Sequence, residues 1–383
     1  MSAFLNCYEF HKVQSLFGRY ITLQDTEAIW ESYHSVCIGH SVLGKPIYRI
    51  RFGTGTKKLL LWSQMHGNES TTTKALADFL HFLHHSELGA HWLTQFDICV
   101  LPLVNPDGAA LYTRENANGI DLNRDAINLS QPESQLLMQT CNEFKPEVCF
   151  NLHDQRTIYG VGHRPHPASL SFLAPSFDGT KSYDDARNKA ASIIGSVYSE
   201  LSKYIPNQIG RFDDSFNGNC FGDAFQSKSI PTILFEAGHF PNDYDREESR
   251  KWIFVSLCVA LQSLNENDIV SNKKSIYLDI PQNKVCFFDF VYRNVKIDYD
   301  NSIKYITFAA QFQESIIEGQ FERIARIIMD ENAEAFVGHR EFDAEGASFT
   351  SEYGSKPEID QKATFELIKL SQTVKFINGM PIN

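Results

Sequence analysis

No apolar run in this sequence approaches the roughly 18 residues that a membrane-crossing helix needs. The opening stretch, Met1 to Glu9, has no basic start followed by an apolar core. It reads as neither membrane-spanning nor led by a secretory signal, so a cytoplasmic location is expected. Cysteine is sparse: eight residues, at positions 7, 37, 99, 141, 149, 220, 258 and 286. They stand singly, with no CxxC pair, which excludes a disulfide framework and a cysteine-type zinc finger. Cys99 and Cys149 lie inside apolar runs and read as small buried hydrophobes. Positive charge is in deficit, with 35 Lys and Arg against 47 Asp and Glu and a net charge of −12. That balance argues against nucleic acid or an anionic membrane as the main partner. The sequence leaves the oligomeric state open.

What is present is a large apolar fraction, 43% of 383 residues, enough for a sizeable core and more than one typical domain. Short apolar runs at 47–52, 59–62, 97–104, 148–152 and 232–235 read as strands. Amphipathic stretches at 70–85, 130–144, 183–201 and 246–264 read as helices. This alternation predicts an α/β domain over residues 1–270, with a mixed, mostly parallel sheet covered by helices on both faces. A polar linker is expected at Asn265-Glu266-Asn267-Asp268. Beyond it, period-two runs broken by Asn, Gly and Asp predict a small antiparallel β-rich domain over 276–383, with no catalytic feature of its own.

The chemistry concentrates near residue 66. His66 and Glu69 follow the apolar run Lys58–Trp62, and at this spacing both side chains can turn toward one metal. A catalytic zinc site takes three protein ligands and leaves one position open. An isolated pair of this kind is commonly solvated surface, so a third donor is required. His153 ends the run Val148–Leu152. Glu236 ends the run Pro231–Phe235, where a carboxylate has buried neighbours. Asn105-Pro106-Asp107-Gly108 after Val104 is a turn signal, and Gly119-Ile120-Asp121-Leu122-Asn123-Arg124-Asp125 follows. His81, His84 and His85 read as a solvated helix face, because no acid or thiolate completes a ligand set.

In this order the segments resemble the zinc carboxypeptidases related to carboxypeptidase A. The resemblance spans about residues 35–245, including an opening hairpin at Ile38–Ile47. It implies one zinc ion held by His66, Glu69 and His153, the two-histidine, one-glutamate set of carboxypeptidase A itself. It implies that Asp121 orients His66, that Asn123 and Arg124 grip a substrate carboxylate, that Arg114 stabilises an oxyanion, and that Glu236 is the general base. The implied partner is a peptide or small amide with a free carboxylate.

The sequence departs from the family in three places. The stretch Gly210–Phe221 has no tyrosine where the family carries one on a mobile loop, and Phe212 or Phe216 is expected to fill the space. Asn68 stands where pancreatic-type enzymes have arginine between the first two ligands. The segment from Arg124 to His153 is short. The expected activity is a zinc metallocarboxypeptidase. A zinc amidase acting on murein-type peptides or acylated amino acids is the alternative, and an inactive peptide-binding module is a further one.

Overall fold

The computed structural model describes residues 1–163, 165–265, 273–299, 302–329, 331 and 333–382. The strands up to residue 237 are β1 (Val36–His40), β2 (Pro46–Phe52), β3 (Lys57–Ser63), β4 (Phe96–Leu101), β5 (Val148–Asp154), β6 (Tyr159–Val161), β7 (His166–Pro167), β8 (Leu170–Leu173), β9 (Ile209–Arg211) and β10 (Thr232–Ala237). The helices are α1 (Ser2–His11), α2 (Leu23–Ser32), α3 (Thr71–His85), α4 (Glu87–Leu93), α5 (Pro106–Leu111), α6 (Pro132–Phe144), α7 (Asp185–Leu201), α8 (Phe221–Gln226), α9 (Glu247–Asn265) and α10 (Lys273–Asp279). The chain divides into two compact units, one of residues 1–156 and 168–283, the other of residues 157–167 and 284–383.

The first unit is built on one mixed sheet of strand order β1-β2-β4-β3-β5-β10-β8-β9. Its centre, β4-β3-β5-β10, is parallel throughout. Strands buried on both faces write themselves as continuous apolar runs, as Leu59–Trp62 and Thr232–Phe235 do. Alternate residues feed two cores. Leu59, Leu61, Ile98, Val100 and Phe150 pack with Phe79 and Leu83 of α3, Ile193 of α7 and Phe254 of α9. Leu60, Trp62, Cys99 and Cys149 pack with Leu137 and Cys141 of α6 and with Phe221 and Phe225 of α8. No helix among the described residues is long and apolar enough to cross a membrane.

Several elements differ from expectation. Asn105–Gly108 is not a free turn but the start of α5: Pro106 takes the first helical position and the Asn105 side chain accepts from the Gly108 N–H at 2.8 Å. Proline suits that position because its ring fixes φ near the helical value and its missing N–H would have had no helical partner. The unit boundary falls at 283/284 and not at 270–276. The reason is that α10 lies against α7, whose Gly195 leaves only 2.1 Å between an added Cβ and the Lys273 carbonyl oxygen. The linker expected at Asn265–Asp268 lies, beyond Asn265, outside the described residues.

The second unit is β-rich. Its strands are β11 (Lys284–Val285), β12 (Phe287–Tyr299), β13 (Ser302–Ile317), β14 (Gln320–Met329), β15 (Val337–Asp343), β16 (Ser348–Thr350), β17 (Phe365–Lys369), β18 (Gln372–Ile377) and β19 (Met380–Ile382). Phe290, Tyr292, Phe308, Phe349, Phe365 and Phe376 form its aromatic core. The sheet is not purely antiparallel, since β12 pairs antiparallel with β13 but parallel with β15 and β16. The β13–β14 hairpin occupies one edge of β12, so the returning chain takes the other edge in the parallel sense. Residues 157–167, which follow β5 after Gln155 and Arg156, also belong to this unit, with β6 paired to β11 and β7.

Candidate metal centre

In neighbouring parallel strands the carboxyl ends share one edge of the sheet, and ligands gather there. Past the end of β3 the chain turns at Gln64, whose φ is +48°. The loop carrying His66 and Glu69 is then locked onto α5. The Asn105 amide donates to the Met65 carbonyl at 3.2 Å, and a Cβ on Gly67 would lie 1.9 Å from the Gly108 carbonyl carbon. Only glycine allows that approach. His153 sits near the end of β5, and the β10–β5 register sets Glu236 directly beside it.

Three side chains meet at this edge. His66 Nδ1 lies 2.7 Å from Glu69 Oε1, His153 Nδ1 lies 2.7 Å from Glu69 Oε2, and the two Nδ1 atoms are 3.2 Å apart. Their donor atoms all lie within 4.8 Å of one another, and among the described residues this is the group of His, Cys, Asp or Glu placed to hold a metal ion. The donor set fits zinc, which favours imidazole and carboxylate ligands. His66 Nε2 lies 3.0 Å from Asp121 Oδ1, and a proton held on Nε2 by that carboxylate leaves the Nδ1 lone pair of the neutral ring facing Glu69 and His153. His153 Nε2 is buried without a hydrogen-bond partner.

The charges respond to one another. Burial disfavours ionised Glu69, yet His66 and His153 outweigh it and hold its pKa well below the usual carboxylate range. Burial opposes charge on His66, but Glu69 and Asp121 raise its pKa; His153, where burial prevails, is lowered. Arg114 donates from Nε to Asp121 Oδ2 at 3.0 Å and from Nη1 to Glu69 Oε1 at 3.2 Å. Glu236 stands apart. Its Oε2 has no hydrogen-bond partner, and burial, followed by the charges of Glu69 and Asp154, pushes its pKa well above the ordinary value.

Asn123 and Arg124 occupy a 3-10 turn capped by Asp121, whose Oδ1 accepts from the Asn123 N–H at 2.8 Å. The Asn123 side-chain oxygen accepts from the Phe221 N–H at 2.9 Å, which ties this turn to the start of α8. Arg124 is exposed, its Nη1 2.7 Å from the Asn123 carbonyl oxygen and 3.1 Å from Cys220 Sγ. His84 and His85 are exposed on α3, whereas His81 is half-buried against His11 of α1, with their Nδ1 atoms 3.2 Å apart. Burial pushes the carboxyl of Asp223 of α8 up to about 6. Sequence reasoning passed over Asp154, whose N–H donates to Glu69 Oε2 at 3.1 Å. Its place directly after His153 was the one available signal.

The sequence profile of the zinc carboxypeptidases, peptidase family M14, matches residues 23–147. Residues 23–147 are thus similar to the zinc carboxypeptidases. Within the curated relatives, "Probable carboxypeptidase 2" of Trichophyton verrucosum is 31% identical over 102 residues, which is 26% of this chain and 20% of that protein. Murein peptide amidase A of Escherichia coli is 28% identical over 146 residues, or 30% of this chain and 57% of that protein. The chain thus spans about a fifth of the length of the first curated carboxypeptidases it matches. A putative carboxypeptidase A from Shewanella denitrificans shares the fold, with TM-score 0.52 and 15% identity over 64% of this chain and 69% of that one. The matched zinc carboxypeptidase segment holds His66, Glu69, Arg114, Asp121, Asn123 and Arg124, while His153 and Glu236 join them through β5 and β10.

Proposed function

We propose that the first unit is the catalytic domain of a zinc-dependent metallocarboxypeptidase that hydrolyses a C-terminal peptide bond. The observation that carries this reading is the convergence of His66, Glu69 and His153 on one point beside the unpartnered carboxyl of Glu236. One zinc ion, when bound by those three residues, would polarise a carbonyl group and bring the pKa of a bound water to about 7. Glu236 takes the proton from water and returns it to the leaving amine. Burial raises its pKa above the ordinary carboxylate value, which strengthens it as a proton acceptor. Arg114 aims guanidinium N–H groups at the negative charge that develops on the carbonyl oxygen. Asp121 holds the His66 ring in one tautomer. Arg124, exposed at the surface beyond Asn123, meets the substrate's terminal carboxylate through its planar fork. A reducing, cytoplasmic setting is part of the proposal, supported by eight free thiols.

A second reading, a zinc amidase on murein-type peptides or acylated amino acids, has its own support. The match to murein peptide amidase A covers more of that protein than the fungal match covers of its own, and Gly210–Phe221 holds no tyrosine. The inactive binding-module reading is opposed by Glu236, a buried carboxyl whose Oε2 has no hydrogen-bond partner.

Mass-spectrometric digestion separates these readings. The zinc-loaded protein is given peptides with free and amidated C-termini, and a murein tripeptide. A metallocarboxypeptidase releases the last residue from the free peptide and spares the amide. Arg124→Ala then lowers kcat/KM by a factor equivalent to about 2–5 kcal/mol of transition-state binding, because a desolvated carboxylate loses its charged partner, and its thermal midpoint stays near the wild type. Equal cleavage of free and amidated peptides overturns the exopeptidase reading, and cleavage of the murein tripeptide alone installs the amidase.

A further inference from the structure

The two ligand-bearing segments belong to different elements, the loop after β3 and the end of β5. Something must hold them in register, because ligand geometry is lost with displacements of about half an ångström. One residue touches both, and it lies outside the matched segment. Arg19, in the arm between α1 and α2, is 8% exposed. Its Nη1 donates to Asp154 Oδ2 at 2.6 Å and to Thr71 Oγ1 at 2.7 Å, and its Nη2 to the Asn68 carbonyl at 3.4 Å. Its own carbonyl accepts from Ser70 Oγ at 2.5 Å. Asn68 and Ser70 flank the ligand Glu69, and Asp154 follows the ligand His153. Asp154 completes the bridge: its carboxylate accepts from the Thr71 and Thr72 N–H groups at 3.0 and 3.2 Å, and its own N–H reaches Glu69 Oε2.

We propose that Arg19 is a positioning residue for the metal site, a clamp from the N-terminal arm that sets the distance between the Glu69 loop and the His153 strand end. The assignment rests on the metallopeptidase reading above. The plain alternative is that Arg19 only pins the arm. The arm, however, has other anchors. Lys12 Nζ lies 3.0 Å from Glu247 Oε2, the Val13 N–H donates to Asp78 Oδ1 at 2.7 Å, and Arg250 Nη2 donates to the Val13 carbonyl at 2.9 Å. Those contacts hold residues 12 and 13, whereas the Arg19 side chain bonds to both ligand segments. A planar fork reaches Asp154, Thr71 and Asn68 together, which a single ammonium cannot.

The test compares wild type, Arg19→Ala, Arg19→Lys and the arm control Lys12→Met. It reads zinc affinity by chelator competition, the visible spectrum of the Co2+-loaded protein, and the thermal midpoint without metal. Residues that orient metal ligands typically change affinity by about 10–100-fold when lost. Arg19→Ala should weaken zinc binding by that factor and shift the Co2+ bands, with Arg19→Lys intermediate. Lys12→Met should lower the midpoint and leave affinity and spectrum at wild-type values. If Arg19→Lys and folded Arg19→Ala bind zinc like the wild type with an unchanged spectrum, the assignment falls. It falls equally if Lys12→Met weakens zinc as much as Arg19→Ala. A wild type that takes up no zinc overturns the metallopeptidase reading itself, an outcome distinct from both.

Discussion

Two clusters of buried charge sit in the first unit, and they are answered differently. In one, α3 and α9 place Asp78 against Arg250, with Arg250 Nε and Nη2 donating to the carboxylate at 2.7 and 2.6 Å, and both side chains fully buried. Lys74 meets Glu247 Oε1 at 2.5 Å and the Asp245 carbonyl at 3.1 Å. Burial lowers Lys74 to about 8, while Glu247 pulls the other way. In the other cluster, at the sheet edge, Glu69 and Asp121 are saturated with partners, but Glu236 Oε2 and His153 Nε2 have none. A buried charge answered by a fork of hydrogen bonds is scaffold. A buried carboxyl left unanswered costs stability and is kept where it does chemistry.

That contrast can be broken from either side. Glu236→Gln should lower the rate roughly 10²–10⁴-fold, the loss expected for a general base, with zinc content held and the thermal midpoint at or above that of the wild type. Steady-state kinetics with metal analysis reads both, and retained activity would move the proton to another group. Arg250→Met should do the reverse. Stranding Asp78 without its partner costs about 3–5 kcal/mol of unfolding free energy, seen by urea titration, while kcat/KM per folded molecule stays at the wild-type value. A fall in kcat/KM would join the two clusters into one functional unit.

The smallest effect sharpens the comparison at Asp223, a buried carboxyl in electrostatic reach of Arg124. Its pKa rises from 3.8 to about 6, chiefly through burial, with the Asn217 N–H pulling the other way. A pKa raised on folding contributes stability that is present below 3.8 and lost as pH rises through about 6. Relative to Asp223→Asn, the wild type should therefore weaken between about pH 4 and 6, by on the order of 2 kcal/mol after partial screening. Denaturation at pH 4, 5, 6 and 7 measures the difference. A constant offset across that range would show that Asp223 does not titrate there.

Much of the first unit was legible in advance. The central strands announced themselves because double burial leaves no polar face. The expected helices at 70–85, 130–144, 183–201 and 246–264 stand within a few residues of α3, α6, α7 and α9. His66 and Glu69 were readable because their spacing is local. The short strands β8 and β9 and the short helices α4, α8 and α10 were not, since each is too brief to show a period. The parallel pairing of β12 with β15 was hidden for another reason: strand direction depends on the route of the connection and not on alternation.

The sequence by itself determined which side chains can ligate or titrate, where the buried strands run, and that a local His–Glu pair closes one of them. Tertiary structure alone decided that His153 and Glu236 stand side by side, because that follows from β5 and β10 pairing in one register. It alone decided that Arg19 meets Asp154 across 135 positions, and that residues 157–167 leave the unit holding His153 for the other one. Side-chain chemistry is a property of single residues and short spacings. Proximity across the chain is a property of which strands share an edge, and no local pattern encodes it.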